Sequence, residues 1–458
     1  MTNPTRQSVL FPGLLDKPLH IVFDEASTTS DGGAVLLKAI DQRLGLTEAI
    51  AGCIRDSRQE AKVKHTYAEL LGQRLFGIAL GYFDANDAAR IGGDPMMRMM
   101  VGRDPASGAE LASQPTVSRF ENAVTNKDLY RMGTQMAQSV VDYHKKRLGR
   151  RVKKITIDMD PTDLPNHGQQ QELSFFNGHY DNYCYLPMLG FLTFNDEPDQ
   201  YLFAAVLRSG KAPSKQGACG ILRRILPLVR QKFRKARILV RLDGGFAAPE
   251  IFDFLDLEQV QYVVGMPGNK VLDRRAKRLM GTSRRLSRES GKSHALFGET
   301  RYAARSWKDN KRRVIYKAEV VRLDDRDPRD NCRFVVTNLR RKPERVYDFY
   351  RMRGESENRI KELQHGLGLD RTSCMSFRGN QMRVFITASA YVLMQTLRCR
   401  LQRTSLARKQ VDSLRLMLLK IGAKVTTTVR RIVVHMAQNH PWRDEWLQAA
   451  AACGATSP

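Results

Sequence analysis

The amino-acid sequence predicts an α/β fold, in which a sheet layer lies between helical terminal regions. Residues 1–150 are mostly helical in pattern, with helices expected near 67–81 and 127–148. From Val152 onward, short apolar or alternating runs typical of strands follow one another, separated by helical segments. Three strands, a helix, a strand, a helix and a strand in succession are typical of an α/β layer.

Within this layer, acidic residues stand at the ends of two strands. The run ITIDMD at 155–160 alternates apolar and polar residues and stops before Pro161, which indicates a strand ending at Asp160. The run RILVRL at 237–242 leads directly into Asp243. The other expected elements are strands at 185–194, 201–207 and 262–266, and helices at 215–235 and 249–257.

The layer, residues 151–266, is followed by a segment predicted to be a mostly β insertion, residues 267–345. Its first part, 270–288, contains eight Lys or Arg residues and few apolar ones. This part is either a solvated loop or a surface that follows a DNA strand. Three strand-like runs follow it, at 298–307, 314–322 and 333–338.

The layer is expected to resume at residues 346–402, where a long apolar helix at 382–401 packs behind it. The last segment, 403–458, is predicted to be helical, with a basic stripe formed by Arg430, Arg431 and His435. The N-terminal region is predicted to bind DNA. The helix start at 113–121 fits either a helix–turn–helix or a plain helical cap on the layer, and no motif decides between them.

The chain is strongly basic, which indicates a polyanionic partner. Its 458 residues include 75 Lys or Arg and 48 Asp or Glu, a formal net charge of +27. The basic residues are spread through sequence that is 42% hydrophobic, which indicates a folded protein rather than a charged tail. Nucleic acid is therefore the expected partner.

Cysteine usage and the absence of apolar segments predict a cytoplasmic protein. The seven cysteines are scattered and include no CxxC pair, which is typical of reduced thiols rather than a disulfide framework or zinc ribbon. The N-terminus lacks the basic start and apolar run of a signal peptide. No apolar run approaches the roughly 18 residues that a membrane span needs, so no membrane association is expected.

The segment YRMRGESENRIKELQ predicts a helix with one chemically distinctive face. Tyr350, Arg353, Glu357, Lys361 and Gln364 share that face, because they are spaced by three, four or seven residues. One interpretation is a solvated face, on which Arg353 and Lys361 form ordinary ion pairs with Glu357. The other is a metal-binding carboxylate flanked by cations that hold phosphates.

Asp160, Asp243 and Glu357 are the acids that the fold would bring together, because sites form where strand ends gather at one edge of a sheet. Three carboxylates in a small space repel one another unless a divalent cation neutralises them. Oxygen-only ligands suit Mg²⁺, or Mn²⁺ in its place. Asp158 has the same side-chain direction as Asp160 and remains the alternative first acid, with Asp163 a further one.

This pattern resembles the DDE transposases of bacterial insertion sequences. Their core is ribonuclease-H-like, a mixed sheet with helices on both faces, and carries strand–Asp, strand–Asp and then a helical Glu after a β insertion. The helix is similar to that group's Tyr–x2–Arg–x3–Glu–x6–Lys signature, except that Gln364 stands where the signature has Lys; Lys361 is the nearest substitute. The runs DMDPTDLPNHGQQ, FFNGHYDNYCYLP, RLDGGF, ENRIKE and DRTSC are similar to the insertion-sequence family numbered thirteen-eighty, over about residues 19–400.

The resemblance implies a transposase that binds double-stranded DNA at the inverted-repeat ends of its element and acts as a homodimer assembled on DNA, in the bacterial nucleoid. It would hydrolyse a phosphodiester to expose a 3′-hydroxyl, which then attacks target DNA. The implied roles are metal binding and catalysis for the three acids and DNA contacts for Tyr350, Arg353 and Lys361. The alternatives are a metal-dependent nuclease that does not transfer strands and a non-catalytic DNA-binding derivative.

Four further residues are expected to contact DNA. Arg284 and Arg285 belong to the basic segment, and His167 belongs to a loop close to the first acid. Trp307 is either an ordinary core residue or, as in similar transposases, a stacking platform for a base pulled from the duplex. A zinc site made by His167 with His179 and Cys184 is not expected, because the spacing fits no common template.

Overall fold

The computed structural model of the chain describes residues 9–11, 16–166, 171–308, 310–323 and 326–456. Its largest element is an eight-stranded mixed sheet. Together with the helices around it, this sheet confirms the predicted α/β class. None of the helices in the described ranges is both long and apolar enough to cross a membrane.

Helices dominate the described part of the first 150 residues, as predicted. Their ends are set by local capping: Thr66 and Thr125 each accept a hydrogen bond from a backbone N–H three residues later. Glu121 is buried between Arg74 and Arg383, at 2.8 Å from each, and so ties these helices to a later one. The elements are strands β1 (Val9–Phe11), β2 (Leu19–Ile21) and β3 (Thr28–Thr29), and helices α1 (Val35–Leu44), α2 (Leu46–Ala51), α3 (Tyr67–Ala79), α4 (Ala85–Arg90), α5 (Pro95–Met100), α6 (Gln114–Ala123) and α7 (Asn126–Leu148).

The next segment supplies the middle of the large sheet. Its elements are β4 (Lys154–Pro161), β5 (Leu164–Pro165), β6 (Phe175–Asn177), β7 (Asn182–Tyr185), β8 (Met188–Phe194), β9 (Tyr201–Val206), α8 (Ala218–Lys232), β10 (Arg237–Leu242), α9 (Pro249–Leu257) and β11 (Gln261–Met266). Strand β10 pairs in parallel with both β4 and β11, whereas β8 runs antiparallel to β4 and β9 to β8. The carboxyl ends of β4 and β10 therefore meet at one edge, which is where the acids stand.

The segment after β11 extends the same sheet with α10 (Lys270–Ser290), β12 (His294–Tyr302), β13 (Arg312–Leu323) and β14 (Arg326–Thr337). Strand β14 pairs antiparallel with β11, so the full order is β12-β13-β14-β11-β10-β4-β8-β9. The strands agree with the prediction, but the basic run is a helix and not a loop. Leu272, Ala276 and Met280 recur every four residues on its buried face, while all eight Lys and Arg residues are exposed.

Three helices bring the chain back to the sheet: α11 (Pro343–Arg351), α12 (Glu355–Leu367) and α13 (Phe377–Arg400). Alternate residues of the central strands belong to different apolar clusters. Leu239 and Val263 pack with Tyr347 of α11, whereas Val240 and Val264 belong to the main core, which includes residues of α9. Helices thus cover both faces of the sheet. Helix α13 is buried along most of its length and packs against β9 and α3.

The C-terminal segment differs from its prediction. Besides α14 (Val411–Leu414), the π-helical turn Arg415–Leu419 and α15 (Arg443–Ala452), it contains a hairpin made of β15 (Ala423–Thr427) and β16 (Ile432–Met436), where helices were predicted. The runs VTTTV and IVV are rich in β-branched residues, which favour strands. Arg430 and Arg431, predicted to lie on a helix, are therefore at the tip of a hairpin.

A buried ion pair joins β4, β10 and α11. Asp158 and Arg241 lie opposite each other in register, and Arg241 donates Nε to Asp158 Oδ1 at 2.6 Å and Nη2 to Oδ2 at 2.8 Å. The remaining Nη1 of Arg241 donates to the carbonyl of Phe349 at 2.7 Å, close to the end of α11. Gln200 donates to the same carboxylate at 3.0 Å. One arginine therefore joins the two strands β4 and β10 to α11, the helix that carries Tyr350.

Replacing Arg241 with methionine should destabilise the fold by about 3–5 kcal/mol, because Asp158 would remain buried without its partner. The double variant Asp158→Asn/Arg241→Met should recover part of this loss, because it leaves no buried charge unpaired. Urea unfolding of the single and double variants measures both effects. A single variant that loses less than about 1 kcal/mol would contradict this role of the pair.

Candidate active site

A cavity of about 490 Å³ opens where β4 and β10 end. Asp160, Asp243 and Glu357 all line it, so the structure brings the three predicted acids together. Because Asp158 and Arg241 are opposite each other on parallel strands, Asp160 and Asp243, each two residues later, follow on the same face. Glu357 comes from the first turn of α12.

Asp160 is the most buried of the three acids, at 7% exposed. Its Oδ2 accepts hydrogen bonds from Arg353 Nη1 at 2.7 Å and from Ser356 Oγ at 3.1 Å. Burial raises the pKa of Asp160 to about 6; the Arg353 charge opposes this, while the negative charges of Asp243 and Glu357 raise the pKa further. The three carboxylates are therefore close enough to repel one another.

Asp243 caps the short helical turn Gly244–Phe246 that follows β10, and its Oδ1 accepts the Gly245 N–H at 2.9 Å. The neighbouring strand β11 carries Gly265, against which the Tyr350 hydroxyl lies. A Cβ atom at position 265 would collide with Tyr350 Oη and lie 2.8 Å from the Gly244 nitrogen. Glycine at this position therefore lets the tyrosine approach the backbone beside Asp243.

Arg353 bridges two of the acids. Its Nη1 lies 2.7 Å from Asp160 Oδ2, and its Nη2 lies 3.0 Å from Glu357 Oε1. The Arg353 side chain is 18% exposed and that of Glu357 is 55% exposed, so the bridge runs from the interior to the cavity mouth. A guanidinium in this position offsets the repulsion between the carboxylates.

The three acids are not gathered into one cluster of metal ligands in this arrangement. Among the residues that the structure describes, no group of three or more His, Cys, Asp or Glu side chains is placed to hold a metal ion. The physical reason is that Arg353 already neutralises Asp160 and Glu357. The donors themselves, carboxylate oxygens around an open cavity, are of the type that Mg²⁺ and Mn²⁺ bind.

Comparison with known families decides what kind of protein carries this cavity. The family model described as transposase DDE domain, group 1, matches residues 11–456 of the chain. The chain belongs to the DDE transposases. This confirms the predicted family, whereas the narrower family numbered thirteen-eighty stays a prediction. No curated protein matches the chain. DDE transposase domains generally use divalent metal ions, which agrees with the donor type found here.

The transposase departs from the family signature at one position of α12, Gln364, and Lys361 on the same helix is the nearest cation. Gln364, where the signature has Lys, donates Nε2 to Thr162 Oγ1 at 3.0 Å and to the Asp163 carbonyl at 2.9 Å. It therefore holds the chain that leaves β4. Lys361, one turn earlier, is exposed and lines the cavity. The Lys361 side chain thus lies about one helical turn before the signature position. Its contact with a DNA phosphate stays a prediction.

Sequence reasoning missed Arg208, a buried cation in the cavity wall. Its Nε donates to the Leu186 carbonyl at 2.8 Å, and its Nη1 donates to the carbonyls of Pro213, Ser214 and Gln216 at 3.0–3.1 Å. Burial lowers the pKa of Arg208 to about 10. These bonds hold the loop after β9 against the cavity. No local sequence pattern marks this residue, because its partners are backbone carbonyls.

The structure places two predicted candidates away from the cavity. Asp158 is bonded to Arg241 beneath the site and does not line the cavity, so the geometry favours Asp160 as the first acid. Trp307 is 9% exposed and packs edge-to-face on Phe252, with ring centroids 5.2 Å apart. The predicted stacking platform needs an accessible ring, so the structure corrects this expectation in favour of a core residue.

The other predicted DNA contacts lie on the transposase surface or outside the described residues. Arg284 is exposed on α10 and forms an ion pair with Asp330 of β14. Arg285, its neighbour, is also exposed and lies 3.3 Å from Glu289. Both remain accessible to DNA, because the exposed ion pairs that they form are weak and a phosphate can replace them. His167 lies outside the described residues.

We predict that ionisation of Asp160 destabilises the metal-free transposase. Its pKa of about 6 exceeds the ordinary value of 3.8, so the folded protein binds this proton more tightly than the unfolded chain does. The free energy of unfolding should therefore fall by roughly 2–3 kcal/mol between about pH 4 and pH 6, and stay low above pH 6. Urea unfolding in the presence of a chelator measures this dependence.

The matched controls are Asp160→Asn, which should lose this component of the pH dependence, and Asp163→Asn, which should keep it. Parallel pH profiles for the wild type and Asp160→Asn would show that Asp160 ionises normally, contrary to the geometry.

Proposed function

We propose that the transposase cleaves and joins DNA phosphodiester bonds at the cavity lined by Asp160, Asp243 and Glu357. The observation that carries this proposal is their convergence on one cavity that Arg353 and Lys361 also line. Phosphoryl transfer depends on aligned reactants and on cations that stabilise the charge of the transferring group. This cavity meets both requirements, because its carboxylates can hold metal ions and its cations can hold phosphates.

The fold supports a ribonuclease-H-like core for this chemistry. Asp160 ends β4, Asp243 follows the parallel neighbour β10, and Glu357 lies on α12. This is the order of strand, strand and helix that the family resemblance implies. We assign residues 151–266 and 346–402 to this core, and residues 267–345 to an insertion whose strands lengthen the sheet beyond β11.

Asp160 and Asp243, which leave adjacent strands, would hold one divalent ion, and Glu357 would help to hold a second. Mg²⁺ is the proposed ion, and Mn²⁺ should substitute for it. A bound divalent ion supplies charge neutralisation and activation of the attacking oxygen. The protein's own contribution is to place the carboxylates on rigid elements and to keep Asp160 away from bulk water.

Arg353 would change partners during this process. Its guanidinium pairs with Asp160 and Glu357. If the Asp160 carboxylate served a divalent ion, the Arg353 guanidinium, which already lines the cavity, could pair with a DNA phosphate instead. Lys361 would bind a second phosphate as a point charge, and Tyr350 would pack near the DNA backbone at the cut.

The exposed face of α10 would bind the duplex outside the cavity. Arg284 and Arg285 are joined there by basic residues that make no ion pair within the described ranges: Lys270, Arg274, Lys277, Arg278 and Arg288. Cations spaced along one helix face can contact phosphates of one strand. We propose that this face and the N-terminal region, residues 1–150, hold the inverted-repeat end, with two copies of the chain assembled on DNA.

Asp160→Asn, Asp243→Asn and Glu357→Gln should each reduce cleavage at the element's end by at least about a hundredfold, because each removes a carboxylate that would hold a divalent ion. The assay uses a labelled duplex that carries the end of the element encoding the chain, with Mg²⁺. DNA binding measured in parallel should stay within a few-fold of the wild type.

The matched control is Glu355→Gln, an exposed acid on the same helix that does not line the cavity and whose loss should leave cleavage intact. Precut ends then test joining separately: strand transfer by the wild type supports a transposase, whereas cleavage without transfer identifies a nuclease. Near-normal cleavage by Asp160→Asn would refute the proposed site.

A further inference from the structure

The hairpin β15–β16 carries a second group of cations, separate from those of α10. Between Asp412 and Asp444 the sequence contains six Lys or Arg residues and no Asp or Glu. Two of the six, Arg430 and Arg431, lie at the hairpin tip. Their side chains are exposed and make no ion pair or hydrogen bond within the part of the chain that the structure describes. Their charges are therefore available to a partner.

The base of the hairpin is firmly attached to the N-terminal region. Strand β15 pairs with β3, and the Gly32 N–H donates to the Ile421 carbonyl at 2.8 Å. A side chain at the next residue, Gly33, would overlap with the Leu418 carbonyl, so two glycines permit this close contact. The buried Asp31 carboxylate adds an ion pair with Lys420 at 2.7 Å.

Exposure increases from this base to the tip. Ala423 and Val425 are buried, the two following threonines are partly buried, and all four residues from Thr428 to Arg431 are exposed. The tip is ordered by its own bonds, because the Thr428 N–H donates to the Arg431 carbonyl at 2.9 Å. The hairpin is therefore a ribbon with a fixed base and a projecting end.

The most exposed apolar side chain at the tip is Val429, which is fully exposed. A large apolar residue gains nothing from this position in the isolated protein. Next to two unpaired arginines, it matches a pattern seen where proteins enter a DNA groove: cations contact the phosphates, and an apolar side chain contacts the bases. A two-stranded ribbon is also narrow enough to fit the major groove of duplex DNA.

We propose that the tip of this hairpin, residues 428–431, binds duplex DNA, with Arg430 and Arg431 on phosphates and Val429 in the groove. The proposal rests on the proposed function in one respect, namely that DNA is the polyanion this transposase binds. It adds a contact outside the cavity and outside α10. Because the hairpin base is rigid, this contact would fix the position of the duplex relative to the core.

The test is the salt dependence of binding to a fluorescein-labelled duplex that carries the element's end, measured by anisotropy in a chelator so that no cleavage occurs. Arg430→Ala/Arg431→Ala should lower the log–log slope by about 1.8, since each lost phosphate contact contributes about 0.9. Val429→Ser should weaken binding about fivefold without changing the slope, because an apolar contact releases no counterions.

The charge-matched control is Arg408→Ala/Lys409→Ala, an exposed pair in the same region that loses the same two charges. It should change the slope by less than half as much. All variants should melt within a few degrees of the wild type, because the altered side chains are exposed. If the tip variant and this control give equal slopes, or Val429→Ser binds normally, the hairpin proposal fails while the cavity assignment stands. If the wild type does not bind the duplex at all, the proposed function fails with it.

Discussion

The buried pair of Asp158 and Arg241 is the interaction on which the site depends. It lies two residues before both Asp160 and Asp243, on the same face of adjacent strands, so it sets how these acids stand relative to each other. Through the Phe349 carbonyl it also fixes the end of α11, from which the chain passes through the 3₁₀ turn of Arg353 into α12, which carries Glu357. Buried ion pairs are poor sources of stability, because desolvation offsets their attraction. Here the pair has a geometric role: it joins three elements whose contacting residues are 83 and 108 positions apart in sequence.

Charge balance is the second constraint on the cavity. Three carboxylates that face one space are unfavourable without a cation, and the raised pKa of Asp160 reflects both burial and its acidic neighbours. Arg353 supplies that cation. Under the proposed function, a metal ion would compete with Arg353 for the Asp160 carboxylate, and the displaced guanidinium would be in place for a phosphate. Binding of metal and binding of DNA would then favour each other, since each removes the partner that the other must displace.

Sequence patterns predicted the parts of this transposase that depend on local order. A few neighbouring residues are enough to recognise the strand that ends at Asp160 and the strand that leads into Asp243. The same holds for the four-residue spacing of Arg353 and Glu357. The helix α10 was not predicted, because few apolar residues mark its buried face, Leu272 and Met280 among them, and eight cations surround them. The hairpin of β15 and β16 was not predicted, because its strands are short and the spacing of its basic residues also fits one face of a helix. Burial of Trp307 and the bonds of Arg208 depend on residues far away in sequence, so no local pattern could reveal them.

We propose that the cavity binds metal through Asp160 and Asp243 once the Arg353 guanidinium leaves the Asp160 carboxylate. Crystals of the transposase bound to its DNA end and soaked in Mn²⁺ test this most directly, because the anomalous signal locates the ion without assumptions about activity. The account predicts an anomalous peak within bonding distance of both carboxylates, with the Arg353 guanidinium moved from Asp160 to a DNA phosphate. A structure that binds DNA but keeps the Arg353–Asp160 pair intact, with no Mn²⁺ between the two acids, would contradict it.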